Sequence, residues 1–217
     1  MRTLFAPIVA VFLLAVAGTT SCHTTGPPIV QPGAPGEPSR MITAARAVDL
    51  SRVQHTATDV RFMQAMIGHH AQALDMTALV PMRSSRKDMQ MFALRIKLSQ
   101  EDEIKMMEDW LEVRGEEVPG VRDHHEPGGT LMPGMLTAKE INRLREATGA
   151  VFDRLFLESM IKHHEGALIM VDELLSTAGA GQETIISAFA SDVVADQRAE
   201  MDRMSAMLNA MRKEQQP

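Results

Sequence analysis

The chain has one cysteine, Cys22, no tyrosine and one tryptophan in 217 residues. A single thiol cannot form an internal disulfide, so the fold rests on packing. With only seven phenylalanines besides the tryptophan, no aromatic ligand pocket is advertised. Alternating β-branched runs are missing, which argues against a sheet. The formal charge of -6 is spread without a basic stripe, which argues against nucleic acid as a partner. There is no second cysteine, and no serine in a strand-turn-helix elbow, so nucleophilic hydrolysis has no machinery. Methionine, by contrast, is abundant, with 18 residues.

The first residues read as an export signal. Arg2 is a short positive region, and Leu4 to Ala17 is an uncharged apolar run, short for a bilayer span. Cys22 stands where such a segment is cut. The pattern resembles a bacterial lipoprotein signal over 1–21, with Cys22 the lipidated first mature residue and the membrane reached through that anchor. Thr19 stands where leucine is usual, so a plain secretory signal is the alternative. Residues 22–40 are rich in Pro and Gly with no apolar period and read as a semi-rigid, disordered tether. Residues 41–217 remain for one folded domain.

Within that domain apolar residues recur at helical spacing. A first long helix is expected from about Leu50 to Leu79, closed by Pro81. Ser84 or Ser85 is expected to cap a second, which runs to about Arg114 and stops at Gly115. A Pro/Gly-rich loop follows. Thr137 and Glu140 form a capping-box pattern that opens a short helix to about Thr148. Long helices are then expected over about Val151 to Ser176 and Glu183 to Lys213. The expected fold is all-α: a four-helix bundle with a short extra helix in its central loop.

The two halves, about 50–114 and 137–213, repeat. Asp59, Phe62, Met66, Ile67, His69, His70, Ala73, Leu74 and Met76 match Asp153, Phe156, Met160, Ile161, His163, His164, Ala167, Leu168 and Met170. On the following helices Gln100, Glu103, Met107 and Leu111 match Gln197, Glu200, Met204 and Leu208. Each half is thus a helix pair, and neither can bury its apolar stripe without the other.

Helical phase places polar groups inside this bundle. Phe62, Met66, His69, Ala73 and Met76 fall within an arc of about 80° at roughly 100° per residue. His69 lies at the centre of that stripe and His70 on its flank, and likewise His163 and His164. Gln100 and Gln197 lie on core faces, edged by Glu103 and Glu200. Such groups need partners or a ligand, since burial without either costs about 1–3 kcal/mol each. One reading is a satisfied network that fixes helix pairing. The other is a transition-metal site of imidazole, thioether and carboxylate donors, for which copper is the natural ion. Met66 stands four residues before His70, and Met160 four before His164, so each pair can face one ion. On this reading the inner His is tied to the partner helix's Gln and Glu, and the outer His shares an ion with Met. The central loop adds His124, His125, Met132 and Met135, which either close over copper or cap the bundle end.

These residues together resemble the domain-of-unknown-function 305 family. Phe-x-x-x-Met-Ile-x-His-His occurs in both halves, Met132-Pro133-Gly134-Met135 lies between them, and Gln-x-x-Glu recurs on the partner helices. The resemblance covers about Asp59 to Leu208. It implies a ferritin-like bundle, export with frequent lipid anchoring, and for some members copper binding and tolerance. It further implies metal-site roles for His69, His70, His163, His164, Met66, Met160, Met132 and Met135. Of the two halves, the one with Glu165 in place of Ala71 has an extra carboxylate. A di-iron oxidase is not supported, because Glu103 and Glu200 are followed three residues on by Met106 and Arg203, not His. The leading expectation is an exported, membrane-tethered copper-binding protein that sequesters the ion; whether it also catalyses stays open, with a ferritin-like oxidoreductase the weakest reading. A metal-free structural or interaction bundle is the alternative, and self-association stays open.

Overall fold

In a computed structural model of the chain, residues 29–31, 38–47, 54–120 and 131–214 are described. The chain divides into two units, 1–52 and 53–217. In the first, strands β1 (Ile29–Gln31) and β2 (Arg40–Ile42) pair antiparallel, with Val30 opposite Met41, ahead of a single-turn helix α1 (Ala44–Ala47). The sequence reading expected a structureless tether here. The ribbon is short, and Ile29, Val30 and Met41 are exposed, so it has little apolar area to hold it together. Cys22, the signal segment, and His124 and His125 lie outside the described residues.

The second unit is helical: α2 (Ala57–Thr77), α3 (Val80–Arg83), α4 (Lys87–Val113), α5 (Ala138–Glu146), α6 (Gly149–Ser176) and α7 (Thr184–Glu214). Helix α2 starts later than the apolar pattern suggested. Thr56 caps it, and Asp59 closes a reciprocal capping box, with the Thr56 N–H donating to Asp59 Oδ2 at 2.7 Å. Pro81 does not simply end α2. It sits in the first turn of α3, where its missing N–H costs nothing. Neither Ser84 nor Ser85 caps α4. Arg86 holds that position without a side-chain bond, and the Ser84 hydroxyl accepts from the Arg86 N–H instead. The Thr137–Glu140 capping box of α5 forms as the sequence predicts. None of the described helices is long and apolar enough to cross a membrane.

Helix α2 packs on α4, α6 on α7, and α2 on α6, so the two helix pairs join through the cassette helices. The core is not continuous. One apolar cluster joins Val60–Ile67 of α2, Ile104–Leu111 of α4, Ala167–Leu174 of α6 and Ile186–Val193 of α7. The other joins Ala73–Met76, Met89–Ile96, Phe152–Met160 and Met204–Met211. Each cluster draws on all four long helices, from opposite ends of α2 and α6, so these two run antiparallel. Between the two clusters, at mid-height of the long helices, lie six buried polar residues: His69, His70, Gln100, His163, His164 and Gln197. A polar layer therefore divides the bundle core in two.

Candidate metal centre

The repeat builds this layer. In each cassette the His-His doublet falls midway along its helix, so antiparallel packing brings the two doublets together. The His69 and His163 rings lie against each other with centroids 3.9 Å apart, tilted by 37°. His70 and His164 flank them at 6.4 and 6.3 Å from their neighbours. All four side chains are wholly buried. The expected division into a core His and a flank His thus does not appear as a difference in exposure.

It appears in their partners, in the reverse of the expected sense. The inner rings bond to backbone: His69 Nε2 lies 3.0 Å from the Pro133 carbonyl, and His163 Nε2 lies 3.0 Å from the His69 carbonyl. The outer rings bond to the partner helices: His70 Nε2 lies 2.5 Å from Glu103 Oε2, and His164 Nε2 lies 2.6 Å from Glu200 Oε2. Phase alone missed this, because a residue one step off the stripe of α2 or α6 still faces a neighbour on the α4 or α7 side.

A common rule emerges. Every Nε2 faces a carbonyl or carboxylate oxygen, which accepts, so every Nε2 donates. Every Nδ1 is buried with no hydrogen-bond partner. In the neutral ring that atom carries a bare lone pair. Histidines that bind metals show this arrangement: one nitrogen donates to an oxygen acceptor and the other is left for the ion. The inner rings are held neutral. Burial, then the fields of neighbouring His residues, pushes His69 down to about 3, against the pull of the Pro133 carbonyl. Burial takes His163 well below the usual histidine range. For Glu103 burial pushes upward, but the bonds from His70 and the Ser99 hydroxyl outweigh it and keep the carboxyl below its ordinary value. Burial and the nearby Glu103 and Glu200 raise Asp196, which marks this flank as strongly negative.

Gln100 Oε1 and both amide atoms of Gln197 also lack partners in the layer. The expected tie between Gln and the inner His does not form. Met66 and Met160 are fully buried, one in each apolar cluster, so thioethers stand on both sides of the layer. Met135 is buried, and Met132 packs against the first cluster. The loop that carries them lies across the middle of α2 and α6, at the level of the histidine layer and not over an end of the bundle. Glu165, the extra carboxylate of the second half, is exposed and takes no part.

Sequence reasoning missed the clasp on that loop. Gln72 Nε2 donates to the Leu136 carbonyl at 3.0 Å, and Gln72 Oε1 accepts from the Leu136 N–H at 2.6 Å. On the other side the Pro133–Gly134 turn lies directly on Gly166, where an added Cβ would stand 2.0 Å from the Pro133 oxygen. Gln72 and Gly166 occupy equivalent positions of the repeat, and that divergence was the available signal. Together they hold the Pro133 carbonyl against His69.

Among the described residues no group of three or more His, Cys, Asp or Glu side chains is arranged to hold an ion. The carboxylates sit on the Nε2 side of their rings, away from the free nitrogens. A surface cleft of about 380 Å³, lined by His55, Arg61, Gln64, Glu116 and Glu117 among others, includes none of the repeated residues. The layer is therefore the candidate site.

A bundle of two repeated helix pairs joined by a buried four-histidine layer is the class that fold and site define. The chain belongs to the DUF305 family, a domain of unknown function, whose model matches residues 59–208. A DUF305 fragment from Deinococcus radiodurans is 31% identical, with 72% of this chain and 98% of that one covered and a TM-score of 0.63. A DUF305 protein from Streptomyces coelicolor, whose name marks it as secreted, is 25% identical over 71% and 93% of the two chains, with a TM-score of 0.62. CopM in its Cu(II)-bound form is 26% identical over 70% and 96%, with a TM-score of 0.58, and CopM is also known in Cu(I)- and Ag-bound forms. No curated protein matches.

Proposed function

We propose that this chain is an exported, membrane-tethered protein that binds and sequesters copper in the polar layer of its bundle. One observation carries the reading: four buried imidazoles, each with Nε2 held by an oxygen acceptor and Nδ1 left without a partner. Four such lone pairs in a core cost about 1–3 kcal/mol each if nothing uses them. The donors suit a soft or borderline ion. Imidazole nitrogens come from His69, His70, His163 and His164. Thioethers are available from Met66 and Met160 on the same helices, and from Met132 and Met135 on the turn that lies against the layer. This chemistry favours copper over calcium or magnesium, which take hard oxygen donors. Soft monovalent ions also accept few ligands, so a cluster of three acidic or imidazole groups is not required. CopM, with its copper and silver forms, supports the choice of ion. Export and tethering rest on the N-terminal signal pattern and Cys22, and the secreted relative agrees with export.

Copper titration with native mass spectrometry tests this. The wild-type chain is expected to retain the ion, and a His69→Ala/His163→Ala variant to lose most of it. No bound ion at micromolar copper, or unchanged binding in the variant, ends the reading. The satisfied Nε2 atoms and the lack of a three-ligand group favour a second reading, a metal-free bundle whose polar layer only sets helix pairing. In that case the variant loses its fold equally with and without copper, and the wild type takes up none.

A further inference from the structure

The four histidines share one tautomer but not one kind of acceptor. His69 and His163 donate to neutral carbonyls, His70 and His164 to carboxylates. We infer that Glu103 and Glu200 are positioning residues that set the valence preference of the layer: His70 and His164, backed by them, favour a divalent ion, whereas His69 and His163 favour a monovalent one. The inference rests on the copper-binding reading above.

The argument is electrostatic. A carboxylate on the far nitrogen feeds negative charge into the imidazole and makes its free nitrogen a more basic donor. It also places a full negative charge one ring away from a bound cation. The gain from that charge grows in proportion to the charge of the ion, so it is twice as large for a divalent ion. The Glu103 and Glu200 side chains are 18% and 12% exposed, so solvent screens this field only in part. The inner rings have no such help. Their acceptors are uncharged, and their site lies between two apolar clusters with a buried Met in each. The desolvation cost of an ion rises steeply with its charge, so a dry, neutral, thioether-flanked position suits a singly charged soft ion. Each half supplies one histidine of each kind. Valence is therefore sorted across the layer and not between the repeats, which is why the exposed Glu165 has no bearing on it.

Glutamine is the informative substitution, because Gln keeps an oxygen for the Nε2–H and removes only the charge. Cu(II) and Ag(I) affinities of the full chain are measured by competition with chelators for wild type and for Glu103→Gln/Glu200→Gln. Silver serves as a monovalent probe that does not change oxidation state. Cu(II) affinity is expected to fall about 10- to 100-fold, the usual effect of losing an outer partner of a metal-binding histidine, and Ag(I) affinity to stay at the wild-type level. The Cu(II) electron paramagnetic resonance spectrum should shift with the lost charge, which a purely structural role would not produce. Equal losses for both ions, or none for either, overturn the inference while leaving copper binding in place. A wild-type chain that binds neither ion removes the underlying reading and this inference with it. If circular dichroism shows the double variant unfolded, the single Glu200→Gln variant is judged by the same two outcomes.

Discussion

The two halves of the bundle carry the same cassette and use it differently at three pairs of equivalent positions. At 72 and 166, Gln grips the 132–136 turn by both amide atoms, whereas Gly makes room for the same turn. At 59 and 153, both aspartates are buried near the start of their helices. Asp59 accepts from the Gly181 N–H at 2.7 Å, so α2 holds the loop between α6 and α7. Asp153 faces Ser84, so α6 reaches the turn ahead of α4, but its Oδ1 is left without a partner. At 99 and 196, a serine that donates to Glu103 at 3.1 Å is matched by an aspartate repelled by Glu200. Duplication thus supplied a symmetric polar layer, and divergence around it made room for one turn. A single loop cannot bind two equivalent faces equally, so the faces had to differ.

The turn contact is the place to break this difference most severely. Gly166→Ala puts a methyl group 2.0 Å from the Pro133 oxygen and close to Gly134, with backbone on both sides and nothing flexible to yield. The turn must lift, and His69 then loses its acceptor. The expected loss is about 3 kcal/mol, read as a lower midpoint in chemical denaturation, with faster amide exchange at 131–136. An unchanged midpoint would show that the turn is not seated on α6. Gln72→Ala attacks the same turn from α2. It leaves the buried N–H and carbonyl of Leu136 without their partners and should cost about 2 kcal/mol. The order matters: if the Gln72 variant is the less stable of the two, hydrogen bonding and not close packing seats the turn.

Much of this was legible in the sequence, for a physical reason. Helix phase depends only on local spacing, so the buried face of each long helix, and the polar groups on it, could be read from one segment at a time. Gln100, Gln197, His69 and His163 are buried as that phase requires, whereas His70 and His164, placed on the flank, are buried as fully. Partner choice depends on what another segment brings, and there the sequence reading erred. It tied the inner His to Gln, but His69 found the Pro133 carbonyl, an atom that every peptide unit has and no sequence pattern marks. It began α2 at Leu50 because the apolar period runs past Thr56, although Thr56 and Asp59 form the same capping-box pattern recognised at Thr137 and Glu140. Nothing in the local sequence marks Gly166, because what requires a glycine there is the Pro133–Gly134 turn that lies on it.

The aspartate pair gives the smallest effects and the sharpest contrast, because one substitution has opposite outcomes in the two halves. Asp59→Asn weakens charge-assisted bonds to the Thr56 and Gly181 N–H groups, and should cost about 1 kcal/mol. Asp153→Asn should stabilise by up to about 1 kcal/mol at neutral pH. Burial raises the Asp153 carboxyl above its ordinary value, with Ser84 and the Arg86 charge pulling the other way. A raised acid binds its proton more tightly in the folded state. Its contribution to stability is therefore complete below the unfolded pKa of about 3.9 and is lost as pH rises through the folded value. Asn has no charge to bury, so the variant keeps stability that the wild type gives up on ionisation. Denaturation midpoints of wild type and Asp153→Asn should converge at acid pH and separate towards neutrality, with the variant higher. A variant lower than wild type at pH 7 would mean that the ionised Asp153, through Ser84, is as firm a latch as Asp59, and the halves would then differ only at the turn and at positions 99 and 196.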